Sequence, residues 1–332
     1  MKKESLYHPI YIKNVKIDGN LFLAPLAGYT DIPFRTLCLK HGANLTTSEM
    51  VSTEGIARNN KKTTDLMTRA ENEKLFAIQI FTDNLDSLER GFDNLLKANP
   101  TIIDINCGCP VPKVTKTGAG CALMKTPKIM ADLVKFITTH TSIPVSVKFR
   151  TGWDLENENY LDFAKLAIDS GASSVCMHAR TKTQGYMPTA HWDRLEKLAK
   201  MVHDNYKNIP VLGSGDLFEP NDGLRMLKET NVDGLMFARG AIGNPFIFEQ
   251  TRHLLQTGED IFPSSVEERV NIILEQLDLM CKVKREDLAF REMRKHCCAY
   301  LKGIRGSSKV KQLLMKASSK QDYIEALSLL SQ

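Results

Sequence analysis

The sequence predicts an α/β protein: a (β/α)8 barrel of the TIM type followed by a small all-helical C-terminal domain. Eight short apolar runs alternate with longer segments whose apolar residues recur at intervals of three and four. Polar residues are held back to the C-terminal ends of the runs, and a basic amphipathic stretch follows. Eight such alternations over about 250 residues suit one closed barrel better than two doubly wound halves, the rival arrangement that pattern alone leaves open. The barrel is assigned to residues 1–255 and the helical domain to residues 256–332.

In chain order the strands are LFLAPLAG (21–28), LTTSEM (45–50), LFAIQIF (75–81), TIIDINCG (101–108), PVSVKFR (144–150), SVCMHAR (174–180), PVLGSGD (210–216) and DGLMFARG (233–240). They are short and rich in Val, Ile, Leu and Phe, with Gly, Pro, Asn or Asp close by, as strands are. Between them NLDSLERGFDNLLKAN (84–99), TPKIMADLVKFITTH (126–140), NYLDFAKLAIDSGA (159–172) and HWDRLEKLAKMVHD (191–204) carry the helical period.

In a parallel barrel all strand C-termini meet at one face, where chemistry is gathered from distant parts of the chain. Gln79, Asn106, Lys148, His178, Arg180, Asp216 and Arg239 all fall at such ends. For any one of them a solvated strand-end side chain is the plain alternative; seven at equivalent positions are harder to explain that way. Cys109 sits between Gly108 and Pro110 just beyond the fourth run, where a thiol can act on a ligand rather than fill a core. The turns Gly213-Ser214-Gly215-Asp216 and Ala238-Arg239-Gly240-Ala241-Ile242-Gly243 follow the seventh and eighth runs, where barrels often bind phosphate through backbone N–H groups; Arg239 adds charge. Lys148, flanked by Val147 and Phe149, is placed to neutralise electron density on a ring across the barrel mouth. Gly118-Ala119-Gly120 lacks the strand-turn-helix context of a dinucleotide fingerprint.

Composition bounds the class. Of 332 residues, 42% are hydrophobic and 25% charged, enough apolar material for a large core. No apolar run reaches the roughly 18 residues of a membrane span, and the lysines near the N-terminus precede no signal-like apolar stretch, so a cytoplasmic protein is expected. The eight cysteines are too sparse for a disulfide scaffold and show no paired CxxC spacing, so reduced thiols and no metal site are expected. Cys107 and Cys109, two apart, would share one face of a strand.

Three segments carry a family resemblance: Ala24-Pro25-Leu26-Ala27-Gly28-Tyr29-Thr30-Asp31-Ile32-Pro33-Phe34-Arg35, Asp104-Ile105-Asn106-Cys107-Gly108-Cys109-Pro110, and His178-Ala179-Arg180-Thr181 with Gln184-Gly185-Tyr186. From about residue 20 to 250 the chain resembles the tRNA-dihydrouridine synthases, most of all the bacterial B-type branch. The resemblance implies an FMN-binding barrel and a helical domain that grips tRNA. It implies reduction of uridine to 5,6-dihydrouridine with NADPH as reductant. By matching position it puts flavin against Pro25, Leu26, Ala27, Gln79, Lys148, His178, Ser214, Gly215, Asp216, Ala238 and Arg239. Asn106 and Arg180 would face the uracil, and Cys109 would be the proton donor. A thiol of ordinary pKa, about 8.5, is largely protonated at neutral pH and suits that role; Lys148 and His178 would stabilise negative charge on the reduced flavin. Two departures stand out. Met187-Pro188-Thr189-Ala190-His191-Trp192 replaces the family's usual Gly and Ala-Asp-Trp, and the extra thiol Cys107 is expected to expose the site to oxidation.

The last segment bears on the partner. Residues 264–332 hold 13 Lys+Arg against 9 Asp+Glu, and the first 263 residues hold 31 against 30. Arg291, Arg294 and Lys295, at helical spacing before the Gly303-Ile304-Arg305-Gly306 turn, form a surface suited to phosphates, with Lys113 as a further tRNA contact on the barrel rim. A merely solvated helical face is the alternative. Ile272, Ile273, Leu277, Leu279, Met280, Leu313 and Leu314 predict that the segment folds. The protein is expected to be a monomer. A barrel acting on a free pyrimidine or small enone, or an RNA-binding barrel without catalysis, remains an alternative.

Overall fold

The computed structural model describes residues 5–261 and 264–330; residues 1–4 of the expected barrel, and 262–263 and 331–332 of the expected helical domain, lie outside the described residues. Strands run in the order β1 (Ile10–Ile12), β2 (Val15–Ile17), β3 (Leu21–Leu23), β4 (Leu45–Thr47), β5 (Val51–Ser52), β6 (Phe76–Phe81), β7 (Ile102–Cys107), β8 (Val145–Arg150), β9 (Ser174–His178), β10 (Val211–Ser214) and β11 (Gly234–Phe237). Neighbours β3, β4, β6, β7, β8, β9, β10 and β11 pair in parallel, and β11 returns to β3 through Leu235↔Leu21, so eight strands close a barrel.

Every expected strand is present, but most stop short of their runs' polar ends: β3 at Leu23, β9 at His178, β11 at Phe237. Beyond the last inter-strand pairing the chain turns, and those turns form the rim. Two elements were not foreseen. The run over 45–50 bulges at Ser48–Met50 and re-enters the sheet as β5, where Val51↔Ile80 and Ser52↔Phe81 pair. The β1–β2 hairpin sends Ile10, Ile12 and Ile17 into an apolar cluster with Phe22, Leu45, Ala77, Ile102 and Leu212 that fills the barrel interior.

The larger core lies between the outside of the barrel and its helices, joining Ile78, Ile103, Ile105, Val147 and Val175 to Leu88, Leu95, Leu133 and Leu198. Strands buried on both faces explain why the runs read as continuous rather than alternating. Helices form where expected, at Leu85–Lys97, Pro127–His140, Tyr160–Asp169 and Trp192–Asn205. Asn84 caps the first by accepting from Ser87 N at 3.0 Å.

Four helices, Val266–Val283, Glu286–Tyr300, Ser307–Leu314 and Lys320–Ser328, surround a second core containing Ile273, Leu277, Met280, Met293, Cys297, Tyr300, Leu314 and Tyr323. Capping boxes at Ser265/Glu268 and Ser319/Asp322 start two of them. This bundle rests on helix Ile32–Lys40, itself capped by Asp31, with Leu37 entering the second core. Lys284 bridges Asp31 (2.6 Å) and Glu292, and Lys40 meets Glu275 at 2.7 Å. Among the described residues no helix is long and apolar enough to cross a membrane.

Candidate active site

A cavity of about 520 Å³ opens at the C-terminal end of the barrel strands, within the range of small-molecule sites. Most of the residues singled out above line it: Pro25, Leu26, Ala27, Gln79, Asn106, Cys109, Lys148, His178, Ser214, Gly215, Asp216, Ala238 and Arg239. Register explains the convergence, because Asn106 stands opposite Lys148 and Ser214 opposite His178 on adjacent strands. The ammonium of Lys148 has no hydrogen bond or ion pair among the described residues, which leaves it available to an electron-rich ligand.

Cys109 lies in the turn after β7, half-buried. Its carbonyl accepts from Cys121 N at 3.0 Å, and Gly120 (φ +61°) is needed there because a Cβ would lie 2.9 Å from that carbonyl oxygen. Burial pushes the thiol upward, partly offset by Val111 N–H, Arg150 and Lys148, so it stays protonated at neutral pH. Arg150, not foreseen as a site residue, donates from Nε to Gly108 O (2.8 Å) and from Nη1 to Thr181 O (2.9 Å) and Gly185 O (3.0 Å), stapling the Cys109 loop to the loop after β9. A buried arginine at a strand end was the available signal.

The expectation for Cys107 is corrected. The chain turns at Gly108, so the two thiols do not share a face. Cys107 is wholly buried near Cys121, and burial drives its pKa well up. It adds no oxidation liability to the cavity.

The Asn106 side chain is already engaged: Oδ1 accepts from Gly108 N (3.1 Å) and Cys109 N (2.9 Å), and Nδ2 donates to Gln79 Oε1 at 2.6 Å. Arg180 is not on the cavity wall. Its buried guanidinium grips both carboxylate oxygens of Asp216 (2.8 and 2.7 Å) and donates from Nε to Pro188 O. Arg180 thus shapes the site through Asp216, whose Oδ1 also takes Arg239 at 3.3 Å. His178 is held far below its ordinary pKa by burial and by the surrounding cations Arg150, Lys148, Arg180 and Arg239. It is therefore neutral, and Arg180 Nη1 at 3.4 Å from its Nε2 puts the ring proton on Nδ1. Of the two groups expected to stabilise negative charge, His178 can do so only as a neutral hydrogen-bond donor.

The turns after β10 and β11 pack together so closely that a Cβ on Gly240 would lie 2.0 Å from Leu217 O. Among the described residues the N–H groups of Gly215, Asp216, Arg239 and Gly240 have no acceptor, which makes a nest for an anion beside the Arg239 guanidinium. Arg239 also stacks over Tyr186 at 4.3 Å and Phe218 at 5.0 Å.

Of the expected tRNA contacts, Lys113 is exposed on the rim helix Pro112–Thr115, outside the cavity. Arg291 is exposed, but Arg294 donates to Ala317 O (3.0 Å), and Lys295 bonds Gly28 O while lying over the Tyr29 ring at 5.2 Å. The three cations at helical spacing are therefore not one free face, and Lys295 joins the helical bundle to the cavity loop.

The family model described as dihydrouridine synthase matches residues 22–331. The chain belongs to the dihydrouridine synthase family. It is an oxidoreductase, as the family is. The probable tRNA-dihydrouridine synthase of Treponema pallidum is 40% identical over 97% of this chain and 96% of its own length. tRNA-dihydrouridine synthase B of Shewanella oneidensis is 35% identical over 86% and 87%, which places this family member with the B-type branch. Among solved structures, a 2-naphthoyl-CoA reductase aligns with TM-score 0.58 and 11% identity over 74% of this chain and 52% of that one. The old yellow enzyme of Trypanosoma cruzi aligns with TM-score 0.53 and 10% identity over 80% and 95%. At such identities these two show that the barrel fold is shared.

Proposed function

We propose that this protein reduces the C5=C6 bond of uridine in tRNA to 5,6-dihydrouridine, with FMN as cofactor, NADPH as reductant and Cys109 as general acid. The observation that carries the reading is that Cys109 lines the same cavity as Lys148 and a nest of four N–H groups, neither of them partnered among the described residues, while burial favours the protonated thiol. These residues fit FMN: one nest with one arginine suits a single terminal phosphate, and Lys148 suits an electron-rich ring. The Ser214–Asp216 and Ala238–Arg239 turns would hold the phosphate, while Pro25, Leu26, Ala27, Gln79, Lys148 and His178 would border the ring. FMN when bound supplies hydride chemistry that no side chain can.

The protein's own part is to orient and to protonate. Hydride arriving at C6 leaves enolate-like charge that a proton at C5 quenches, and Cys109 holds that proton because burial keeps it a thiol. Neutral His178 offers its Nδ1–H as a hydrogen bond, and Lys148 contributes charge. Asn106 borders the uracil and holds the Cys109 turn; Arg180 acts through Asp216. On this reading residues 1–255 carry the chemistry. Residues 256–332, with their own core, grip tRNA through the exposed Arg291, with Arg294 and Lys295 adding charge beside it while held by the carbonyls of Ala317 and Gly28, and Lys113 contributing from the rim. The protein works in the cytoplasm as a monomer without metal.

Purified protein is incubated with NADPH and either unmodified tRNA or free uridine, and dihydrouridine is measured alongside the absorbance spectrum. Flavin bands and product from tRNA alone are expected. Absence of flavin even after FMN is added would overturn the cofactor, and turnover of free uridine equal to that of tRNA would overturn the substrate.

A further inference from the structure

A chain of short hydrogen bonds runs beneath the cavity from β8 to the Cys109 turn. Ser146 Oγ donates to Asp104 Oδ1 (2.5 Å), Gln79 Nε2 to Asp104 Oδ2 (2.6 Å), and Asn106 Nδ2 to Gln79 Oε1 (2.6 Å). Asn106 Oδ1 then receives the N–H groups of Gly108 and Cys109. All of its side chains are buried.

The direction of this chain is forced. Backbone N–H groups can only donate, so Asn106 must present oxygen to the Cys109 turn and its NH2 to Gln79. Gln79 must then present oxygen to Asn106 and its NH2 to residue 104. The series closes only if residue 104 is an acceptor there, which a carboxylate is. Without that acceptor the two amides can rotate, setting NH2 against the Gly108 and Cys109 N–H groups and releasing the turn. The charge of Lys148 favours the ionised form of Asp104, but Lys148 donates a hydrogen bond to neither oxygen.

We infer that Asp104 is a positioning residue of this site, fixing the sense of the Gln79–Asn106 hydrogen bonds and thereby the backbone that presents Cys109. The relevance to uridine reduction rests on the function proposed above; the hydrogen-bond chain itself does not, and it is tested without substrate.

The full-length protein is studied as Asp104→Leu, Gln79→Met, Asp104→Asn and Ser146→Ala, each checked for folding by circular dichroism. Amide exchange at Gly108 and Cys109 is followed by residue-resolved mass spectrometry. Alkylation of Cys109 by iodoacetamide is measured against the exposed Cys298 as internal reference. Removing the acceptor in Asp104→Leu, or the linking amide in Gln79→Met, should speed exchange and relative Cys109 alkylation by about tenfold, while Asp104→Asn and Ser146→Ala, which keep the acceptor, stay within about twofold of wild type. If Asp104→Leu does not fold, Gln79→Met decides, since it breaks the same chain without touching residue 104. Rates unchanged in the chain-breaking variants would overturn the inference, as would Asp104→Asn behaving like Asp104→Leu. A failure of the proposed activity would appear separately, as wild-type protein that forms no dihydrouridine while the exchange pattern holds.

Discussion

Asp104→Asn is expected to stabilise the fold at pH 8 but not at pH 4. Asp104 is 4% exposed, and burial outweighs its bonds to Ser146 and Gln79 and the nearby Lys148, lifting the carboxyl from its ordinary 3.8 to about 6. The folded protein therefore holds this proton more tightly than the unfolded chain does. Ionisation then costs folding free energy that is absent below the unfolded value, grows through the interval up to 6, and levels near 3 kcal/mol above it, at about 1.4 kcal/mol for each tenfold. Asparagine keeps the geometry without the charge: its Oδ1 accepts from Gln79, and its Nδ2 donates to the Ser146 hydroxyl, which turns from donor to acceptor. Urea denaturation of wild type and variant from pH 4 to pH 8 isolates this single titration as the difference between them. That difference should rise in favour of the variant by about 2 kcal/mol between pH 4 and pH 8, mostly below pH 6. A flat difference, or one falling as pH rises, would refute the argument that desolvation dominates at Asp104.

Cys109→Ala should keep its flavin and the reduction of that flavin by NADPH but lose about 10²- to 10⁴-fold in dihydrouridine formation; near-normal turnover would place the proton donor elsewhere. Arg35→Met should cost about 3–5 kcal/mol in denaturation free energy, because it strips a wholly buried Glu73 of its 2.7 Å partner; a loss below about 1 kcal/mol would mean the site relaxes or admits water. Replacing Arg291, Arg294 and Lys295 together with Ala should weaken tRNA binding and flatten its salt dependence. Lys295→Ala alone should also alter the cavity, seen as weaker flavin binding, since Lys295 holds the Gly28 loop. Unchanged affinity and salt slope in the triple variant would move the grip to the rim around Lys113.

The barrel and the location of its site could be read from the chain because both rest on local pattern. Strands buried on two faces are dominated by apolar residues, so Ile102, Ile103 and Ile105, and Val145 and Val147, announce themselves, with Asp104 and Ser146 as buried polar exceptions. A parallel barrel then gathers most of the remaining polar residues at the C-terminal strand ends, so Gln79, Asn106, Lys148 and His178 line one cavity. The second core was legible too, from apolar residues at helical spacing such as Ile273, Leu277 and Met280.

What each polar side chain bonds to was decided only in three dimensions, because its partners come from segments far apart in sequence. Arg180 and Arg239 look alike at strand ends, yet Asp216, 36 residues beyond Arg180, draws Arg180 behind the wall while Arg239 stays at the mouth. Arg291, Arg294 and Lys295 share a helical spacing, but the carbonyls of Ala317 and of Gly28 claim two of them. Cys107 was misread because strand alternation ends where the chain turns at Gly108, and Asp104 gained a role only when β6, β7 and β8 set Gln79, Asn106 and Ser146 around it. Sequence thus determined that polar strand ends gather at the barrel mouth, through hydrophobic burial and strand direction; tertiary structure decided which of them line it and remain free there, because hydrogen bonds and ion pairs depend on ångström-scale distances between side chains that sequence order does not encode.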